Sequence, residues 1–398
     1  MNNETVINNR VLWNRAPCGK SDDNKSRPCL KNEIMKRPYY IFSSGKLMRK
    51  QNTLFFLPYD KEEELLEETD RVGEEPVDWE LITEAGKFKK DFDSPNKRVI
   101  PIDDVDSLMI FSEINFNARM LRFLTKKNIP AHLFNYYGHY SGSYYPREYL
   151  LSGFLLVNQV DHYKVHQKRM RIALQLVRGA ASNILRNLKY YDGRAGDLSE
   201  SISTIEALLE KVPLSQDIQE LMGMEGNIRQ AYYQAFPIIL GDKYDFEKRV
   251  RQPPDNAVNA LISFANSMVY TTCLTEIYRT QLSPLISYLH EPGDRRYSLA
   301  LDLAEIFKPL LADRVIFTCL NQRRIQHTDF DASLNFCHLS KKGRKTFVKA
   351  FEDKLQTTIM HRKLQRKVSY RRLIRMECYK LVKHLTGANA YEPFKAWW

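Results

Sequence analysis

Tyr288-Leu289-His290-Glu291-Pro292-Gly293-Asp294-Arg295-Arg296-Tyr297-Ser298-Leu299-Ala300-Leu301-Asp302-Leu303-Ala304-Glu305-Ile306-Phe307-Lys308-Pro309 sets one imidazole on a Pro-Gly turn, then two carboxylates three residues apart. Leu299, Leu303, Ile306 and Leu310 recur at i, i+4, i+7 and i+11, the spacing of one apolar helix face. Ser298 stands where an N-cap hydroxyl would accept a first-turn amide. Asp302 and Glu305 fall on the flank of that face with Lys308 beyond them, half-buried positions where an acid seeks a cation. His290 together with these acids suits a divalent metal ion. The same spacing also fits a core histidine beside two surface acids.

The chain has 398 residues, 43% of them hydrophobic, enough for two domains with cores of their own. Its formal net charge of +12 says nothing of fold but favours a polyanionic partner, nucleic acid first. No apolar run approaches bilayer-spanning length, and residues 1–36 lack the apolar core of a signal peptide. The expectation is a cytoplasmic protein with no membrane partner. Cys18, Cys29, Cys273, Cys319, Cys337 and Cys378 include no Cys-x-x-Cys pair, so zinc-ribbon and thioredoxin chemistry have no support. Ser-His-Asp, P-loop and dinucleotide fingerprints are absent too.

Residues 1–36 are polar and read as a flexible N-terminal extension, with Met35 standing where a shorter chain would begin. Short β-branched or aromatic runs at 39–43, 53–57, 99–102, 107–111 and 131–135 read as strands. An acidic insert occupies 59–97, and 115–128 reads as a short helix with Leu121 and Leu124 turned inward. Together, 37–140 make a small β-rich domain. Tyr136, Tyr137, Tyr140, Tyr144, Tyr145 and Tyr149 then cluster around Gly138 and Gly142. They suit either stacking on exposed bases or, the preferred reading, an aromatic hinge packed between two domains.

After Pro146 strand patterns disappear. Residues 150–190, 198–210, 218–240, 256–282 and 312–320 are helix-periodic, so 141–398 read as an all-α domain and the fold class as α+β. Toward the C-terminus base is dense: Lys341, Lys342, Arg344, Lys345, Arg362, Lys363, Arg366, Lys367, Arg371, Arg372 and Arg375. Phe347, Phe351, Leu355, Leu364, Leu373 and Leu381 interleave with them. That is an amphipathic pattern with a cationic face for phosphates.

A third acid joins the opening stretch. Glu225 lies between Gly223 and Gly226 at what reads as a helix start, where the dipole helps keep a carboxylate ionised. Arg229 and Tyr232 follow on the same side. A glutamate there also serves as an ordinary cap. Glu225, His290, Asp302 and Glu305 together offer the donors for one or two divalent ions acting on a phosphodiester. Arg229, Lys308, Arg295 and Arg296 are the candidate DNA-backbone contacts.

Three segments, residues 221–233 with Glu225, 253–261 (Pro-Pro-Asp-Asn-Ala-Val-Asn-Ala-Leu) and 289–305 with His290, Asp302 and Glu305, resemble the CRISPR adaptation integrase, the Cas-one endonuclease family. Residues 39–45 and 344–347 look most like its type I-B branch. The likeness runs from about Arg37 to the C-terminus.

The resemblance implies a β-rich dimerisation domain followed by an α-helical catalytic domain. It maps metal ligands onto Glu225, His290 and Glu305, a nearby second acid onto Asp302, and a lysine close to the DNA backbone onto Lys308. It also implies Mg²⁺ or Mn²⁺, a homodimer, and two dimers bridged by a Cas-two dimer into a heterohexamer. That assembly would carry a prespacer whose 3′-hydroxyl ends attack the borders of the CRISPR repeat. Two features depart from the pattern: Glu305 stands where many relatives carry aspartate, and the extension and acidic insert are additional. A stand-alone repair nuclease and a non-catalytic DNA-binding scaffold are the alternatives.

Overall fold

The computed structural model describes residues 36–59, 97–241, 243–251, 253–293, 297–333 and 336–397. The N-terminal extension, the core of the acidic insert, Arg295 and Arg296 lie outside the described residues. Lys36–Trp398 form one compact unit.

Five of the sequence-read strands are present: β1 (Arg37–Ile41), β3 (Thr53–Pro58), β4 (Arg98–Pro101), β5 (Val105–Ile110) and β7 (Ala131–Phe134). β2 (Gly45–Lys50), β6 (Ile114–Asn115) and β8 (Tyr140–Tyr144) complete two four-stranded sheets. One sheet has the order β1-β5-β7-β8, parallel but for the antiparallel β7–β8 hairpin. The other has the order β4-β3-β2-β6. Helix α1 (Ala118–Lys127) is capped by Asn117, whose side chain accepts the Met120 amide at 3.1 Å. It buries Met120, Phe123 and Leu124, while Leu121 is only half-buried.

Strand β5 is buried on both faces, and its pleat decides what each face meets. Leu108 and Ile110 enter the core between the two sheets. Met109 points the other way and, with Phe111 just beyond the strand, joins the helical core. There Phe111 stacks on Phe134 at 4.2 Å and meets Phe264 at 5.8 Å.

The helical part comprises α2 (Gly153–Lys164), α3 (His166–Tyr191), α4 (Ser199–Lys211), α5 (Ile218–Gln234), α6 (Phe236–Leu240), α7 (Ala257–Tyr278), α8 (Ser298–Lys308), α9 (Arg314–Asn321), α10 (Lys341–Gln356) and α11 (Tyr370–Leu385). At its centre runs α7, started by Asn256, whose side chain accepts the Asn259 amide at 2.9 Å. Contrary to the sequence expectation, α7 is long and apolar enough to cross a membrane, with a mean hydropathy of 1.2. Its apolar window is 78% buried inside the protein, which makes it a core helix.

Strands do not end at Pro146. The hairpins β9 (Phe330–Ser333)–β10 (Phe336–Leu339) and β11 (Thr358–His361)–β12 (Arg366–Ser369) interrupt the helices. Each strand has only four residues, too short for a period-2 pattern to stand out. Leu364 lies exposed at the second turn rather than on an apolar face. The tyrosine-rich segment packs on α7 and the loop after it. Tyr140 meets Tyr270, Tyr145 meets Tyr278 and Tyr297, and Tyr149 meets Tyr278.

Helices α8 and α9 are joined by a single π-helical turn, Pro309–Asp313. Pro309 has no amide to donate, so the regular ladder is broken there. The side chain of Asn187 on α3 donates to the Pro309 carbonyl at 2.5 Å and pins the turn.

Candidate active site

Helix α5 brings Glu225 to the site from its middle, not from its start. Asp217 caps the helix by accepting the Glu220 amide at 2.8 Å, and Glu220 reaches back to the Gln216 amide at 2.7 Å. The dipole at the helix start is therefore two turns away from Glu225. Charge balance comes from a neighbour instead. Arg229, one turn on, donates its Nε to Glu225 Oε1 at 2.5 Å. Burial alone would raise the Glu225 carboxyl. Arg229, Lys308 and His290 overcome that and hold it below the usual glutamate range.

The Arg229 guanidinium also contacts Glu305 Oε2 on α8, and Lys308 Nζ lies 2.5 Å from Glu305 Oε1. Two carboxylates from different helices thus converge on one buried cation. Glu305 is 5% exposed and Asp302 fully buried, so neither is the half-exposed flank residue the periodicity implied. Burial pushes Lys308 down to about 8, with Arg229 adding to the effect.

Asp302 does not face the two glutamates' cation. Its Oδ2 accepts the amides of Tyr288 at 2.7 Å and Leu289 at 3.0 Å. Its Oδ1 takes the His290 amide at 3.0 Å and His290 Nδ1 at 2.8 Å. Three backbone amides and the ring fill the carboxylate, so the His290 ring turns its Nδ1–H toward Asp302. Ser298 is not the cap of α8; its hydroxyl donates to the Leu285 carbonyl at 2.8 Å and ties down the same loop.

Beneath the site lies a network that sequence reasoning missed, apart from Tyr232. Asp313, on the π turn, is buried and acts electrostatically on Tyr232, whose hydroxyl accepts from Asn187 at 3.1 Å. Burial pushes the Asp313 carboxyl up to about 6, against the pull of Arg229, Lys308 and Arg249. No local pattern marks this residue, because the π turn shifts its helical phase.

Among the described residues, no three of His, Cys, Asp and Glu converge into a ready metal cage. The donor chemistry nevertheless fits a divalent ion: two carboxylates and an imidazole nitrogen. Glu305 Oε2 is moreover buried without a hydrogen bond, as is the Arg229 nitrogen facing it. Their contact is a bare ion pair.

Of the candidate phosphate contacts, Arg229 and Lys308 pair with the site's own acids. Arg344, Arg371 and Arg375 also turn inward, toward the Tyr136 carbonyl, Glu352 and Glu276 respectively. Lys341, Lys342, Lys345, Arg362, Lys363, Arg366, Lys367 and Arg372 remain on the surface.

The family model for CRISPR associated protein Cas1 matches residues 81–353, well over half of the chain. The chain belongs to the Cas1 family. It is 44% identical over 370 residues to the CRISPR-associated endonuclease Cas1 of Fusobacterium nucleatum, spanning 93% of this chain and 99% of that one. It also resembles the solved Cas1 protein from Thermotoga maritima, with 36% identity, a TM-score of 0.74, and coverage of 90% of this chain and 100% of that one. A casposase bound to its integration product gives a TM-score of 0.74 over 91% of this chain and 93% of that one. At 18% identity, that last likeness is one of fold alone.

Proposed function

We propose that this Cas1-family chain is a divalent-metal-dependent DNA endonuclease and integrase that inserts spacers into a CRISPR array. The observation that carries the reading is the convergence of Glu225 and Glu305 on one buried cation beside an imidazole oriented by Asp302. Glu225, His290 and Glu305 would hold the ion, Mg²⁺ or Mn²⁺. When bound, it supplies Lewis acidity toward a phosphodiester and makes an attacking hydroxyl more acidic.

The chain's own residues do the rest. Asp302 holds His290 in the tautomer that leaves Nε2 free to coordinate. Arg229 and Lys308 carry the positive charge that the non-bridging phosphate oxygens need as the pentavalent state forms. Gly223 and Gly226 flank Glu225 with open space beyond them, so the helix surface there is bare enough for a DNA backbone to approach. The 3′-hydroxyl of a prespacer attacks the repeat-border phosphorus, a P–O bond forms, and the 3′-oxygen of the cut strand leaves.

In this reading residues 37–140 serve dimerisation and 141–398 catalysis. Two homodimers bridged by a Cas-two dimer form a heterohexamer on prespacer and repeat DNA.

The test is joining of a short duplex with free 3′-hydroxyls into a plasmid bearing a repeat, with Mn²⁺ and the Cas-two partner. Wild type joins and Glu225→Ala does not. Cleavage without joining would favour the stand-alone repair nuclease. DNA binding with neither reaction would favour the scaffold.

A further inference from the structure

Among the described residues, the chain from Arg279 to Tyr297 forms no helix or strand, yet it carries His290. Its backbone groups have no regular ladder to satisfy them, so side chains must. From within, Asp302 takes the amides of Tyr288, Leu289 and His290. The carbonyls are held separately. Ser287 Oγ donates to the His290 carbonyl at 2.6 Å, and Arg169 Nε donates to the Tyr288 carbonyl at 2.9 Å.

Arg169 comes from the first turn of α3 and reaches further along the loop. Its Nη2 donates to Glu291 Oε1 at 2.7 Å, while the Tyr163 hydroxyl on α2 donates to Glu291 Oε2 at 2.8 Å. Both carboxylate oxygens of the residue next to His290 are thus engaged. The Arg169 guanidinium also sits 4.5 Å from the centre of the Tyr163 ring, whose face favours a cation. One turn back on α2, the fully buried Gln159 binds Ser283 twice, accepting its amide at 2.8 Å and donating to its carbonyl at 3.2 Å. The corner between α2 and α3 therefore holds this loop in two places.

Ion pairs at a surface usually contribute little. This one differs in two ways. The Arg169 side chain is only 12% exposed, and its planar fork is divided between a carbonyl and a carboxylate, a geometry that lysine cannot reproduce. Its two acceptors also bracket His290 in the chain, Tyr288 before it and Glu291 after it. Asp302 sets how the imidazole is turned, and Arg169 sets where its backbone stands.

We infer that Tyr163, Arg169 and Glu291 are positioning residues for His290, a clamp that keeps its ring against Asp302 at the candidate metal site. Partners of this kind decide whether a ligand imidazole is already in place when an ion arrives. The inference rests on the reading of His290 as a metal ligand and adds what holds that ligand.

The test is NMR of the metal-free protein with isotope-labelled histidine, the His290 ring signal being identified by its loss in His290→Ala. In wild type the Nδ1 proton is protected from exchange with water. In Arg169→Leu it exchanges about tenfold faster or more. DNA joining with Mn²⁺ and the Cas-two partner falls about tenfold in that variant, while DNA affinity holds. Glu291→Ala moves both readouts the same way by less, because Arg169 keeps the Tyr288 carbonyl. The double variant is no worse than Arg169→Leu alone, as members of one clamp require. If Arg169→Leu melts well below wild type, Arg169→Lys takes its place, keeping the charge without the fork. A His290 proton as protected in the variant as in wild type would overturn the inference. So would a joining loss matched by lost DNA affinity, which would make Arg169 a phosphate contact. Fast exchange in Arg169→Leu with no joining by wild type would sink the integrase reading and leave the clamp standing.

Discussion

Asp302 and His290 form a closed pair: the carboxylate takes both the backbone amide and the Nδ1 proton of the same histidine, at 3.0 Å and 2.8 Å. Ring tautomer and loop position are therefore set by one side chain. Asp302→Asn replaces an acceptor oxygen with a donor amide where four donors already converge. DNA joining by that variant should fall roughly 10- to 100-fold, the usual cost of losing a partner that orients a metal-binding histidine. DNA affinity should stay unchanged. Steady-state joining rates alongside equilibrium binding check both.

Arg229 fills the space between Glu225 and Glu305 as a cation covalently part of the chain. A divalent ion must compete with it for the same oxygens. Arg229→Met should melt several degrees lower than wild type without metal, because buried Glu305 and half-buried Glu225 lose their shared partner. Saturating Mn²⁺ should raise its melting temperature by more than it raises that of wild type. An equal or smaller rise in the variant would show that the ion does not use those oxygens.

The sequence made the site's members legible but not their arrangement. Glu225, His290 and Glu305 are candidate ligands by resemblance, and the structure places Glu225 and Glu305 on one guanidinium. Periodicity sets Asp302 on a flank because it sees only its own helix. The Tyr288–His290 backbone that buries it comes from a loop whose path no local pattern encodes. Gly223 and Gly226 beside Glu225 read as a helix boundary, whereas the true start is the Asp217 cap. Phosphate roles for Arg344, Arg371 and Arg375 followed from counting charge, which cannot tell a solvated base from one paired inside.

Such pairing dominates the junction between sheet and helices. Glu276, fully buried on α7, binds Arg279 at 2.9 Å and Arg375 at 2.5 Å, while Arg279 reaches Asp106 on β5 at 2.5 Å. Burial alone would raise Glu276, and the arginines overcome it to keep the carboxyl low. Glu276→Ala leaves them without their central partner, a loss on the order of 3–5 kcal/mol. A urea-midpoint shift of that size checks it; a change under about 1 kcal/mol would mean the arginines find other partners.

His132 supplies a pH test. It is buried between Ser143 Oγ at 2.7 Å and Thr275 Oγ1 at 2.8 Å, and burial, aided by Arg279, pushes its pKa down to about 3. The unfolded imidazole takes a proton near pH 6.5, whereas the folded one does not until about 3. Stability is thus undiminished above pH 6.5 and declines as pH falls toward 3, by about 2 kcal/mol at pH 5. His132→Gln should flatten that decline in denaturant titrations at pH 7 and pH 5. An unchanged slope would assign the acid sensitivity to other groups.

The most direct measurement is Mn²⁺ uptake followed by electron paramagnetic resonance, comparing wild type with His290→Ala and Glu225→Ala. If Glu225, His290 and Glu305 form one metal centre, wild type binds the ion with a resolved coupling to an imidazole nitrogen. His290→Ala then loses that coupling, and Glu225→Ala binds far more weakly. Mn²⁺ that stays free with wild type, or binds equally to all three proteins, would contradict the assignment of this site.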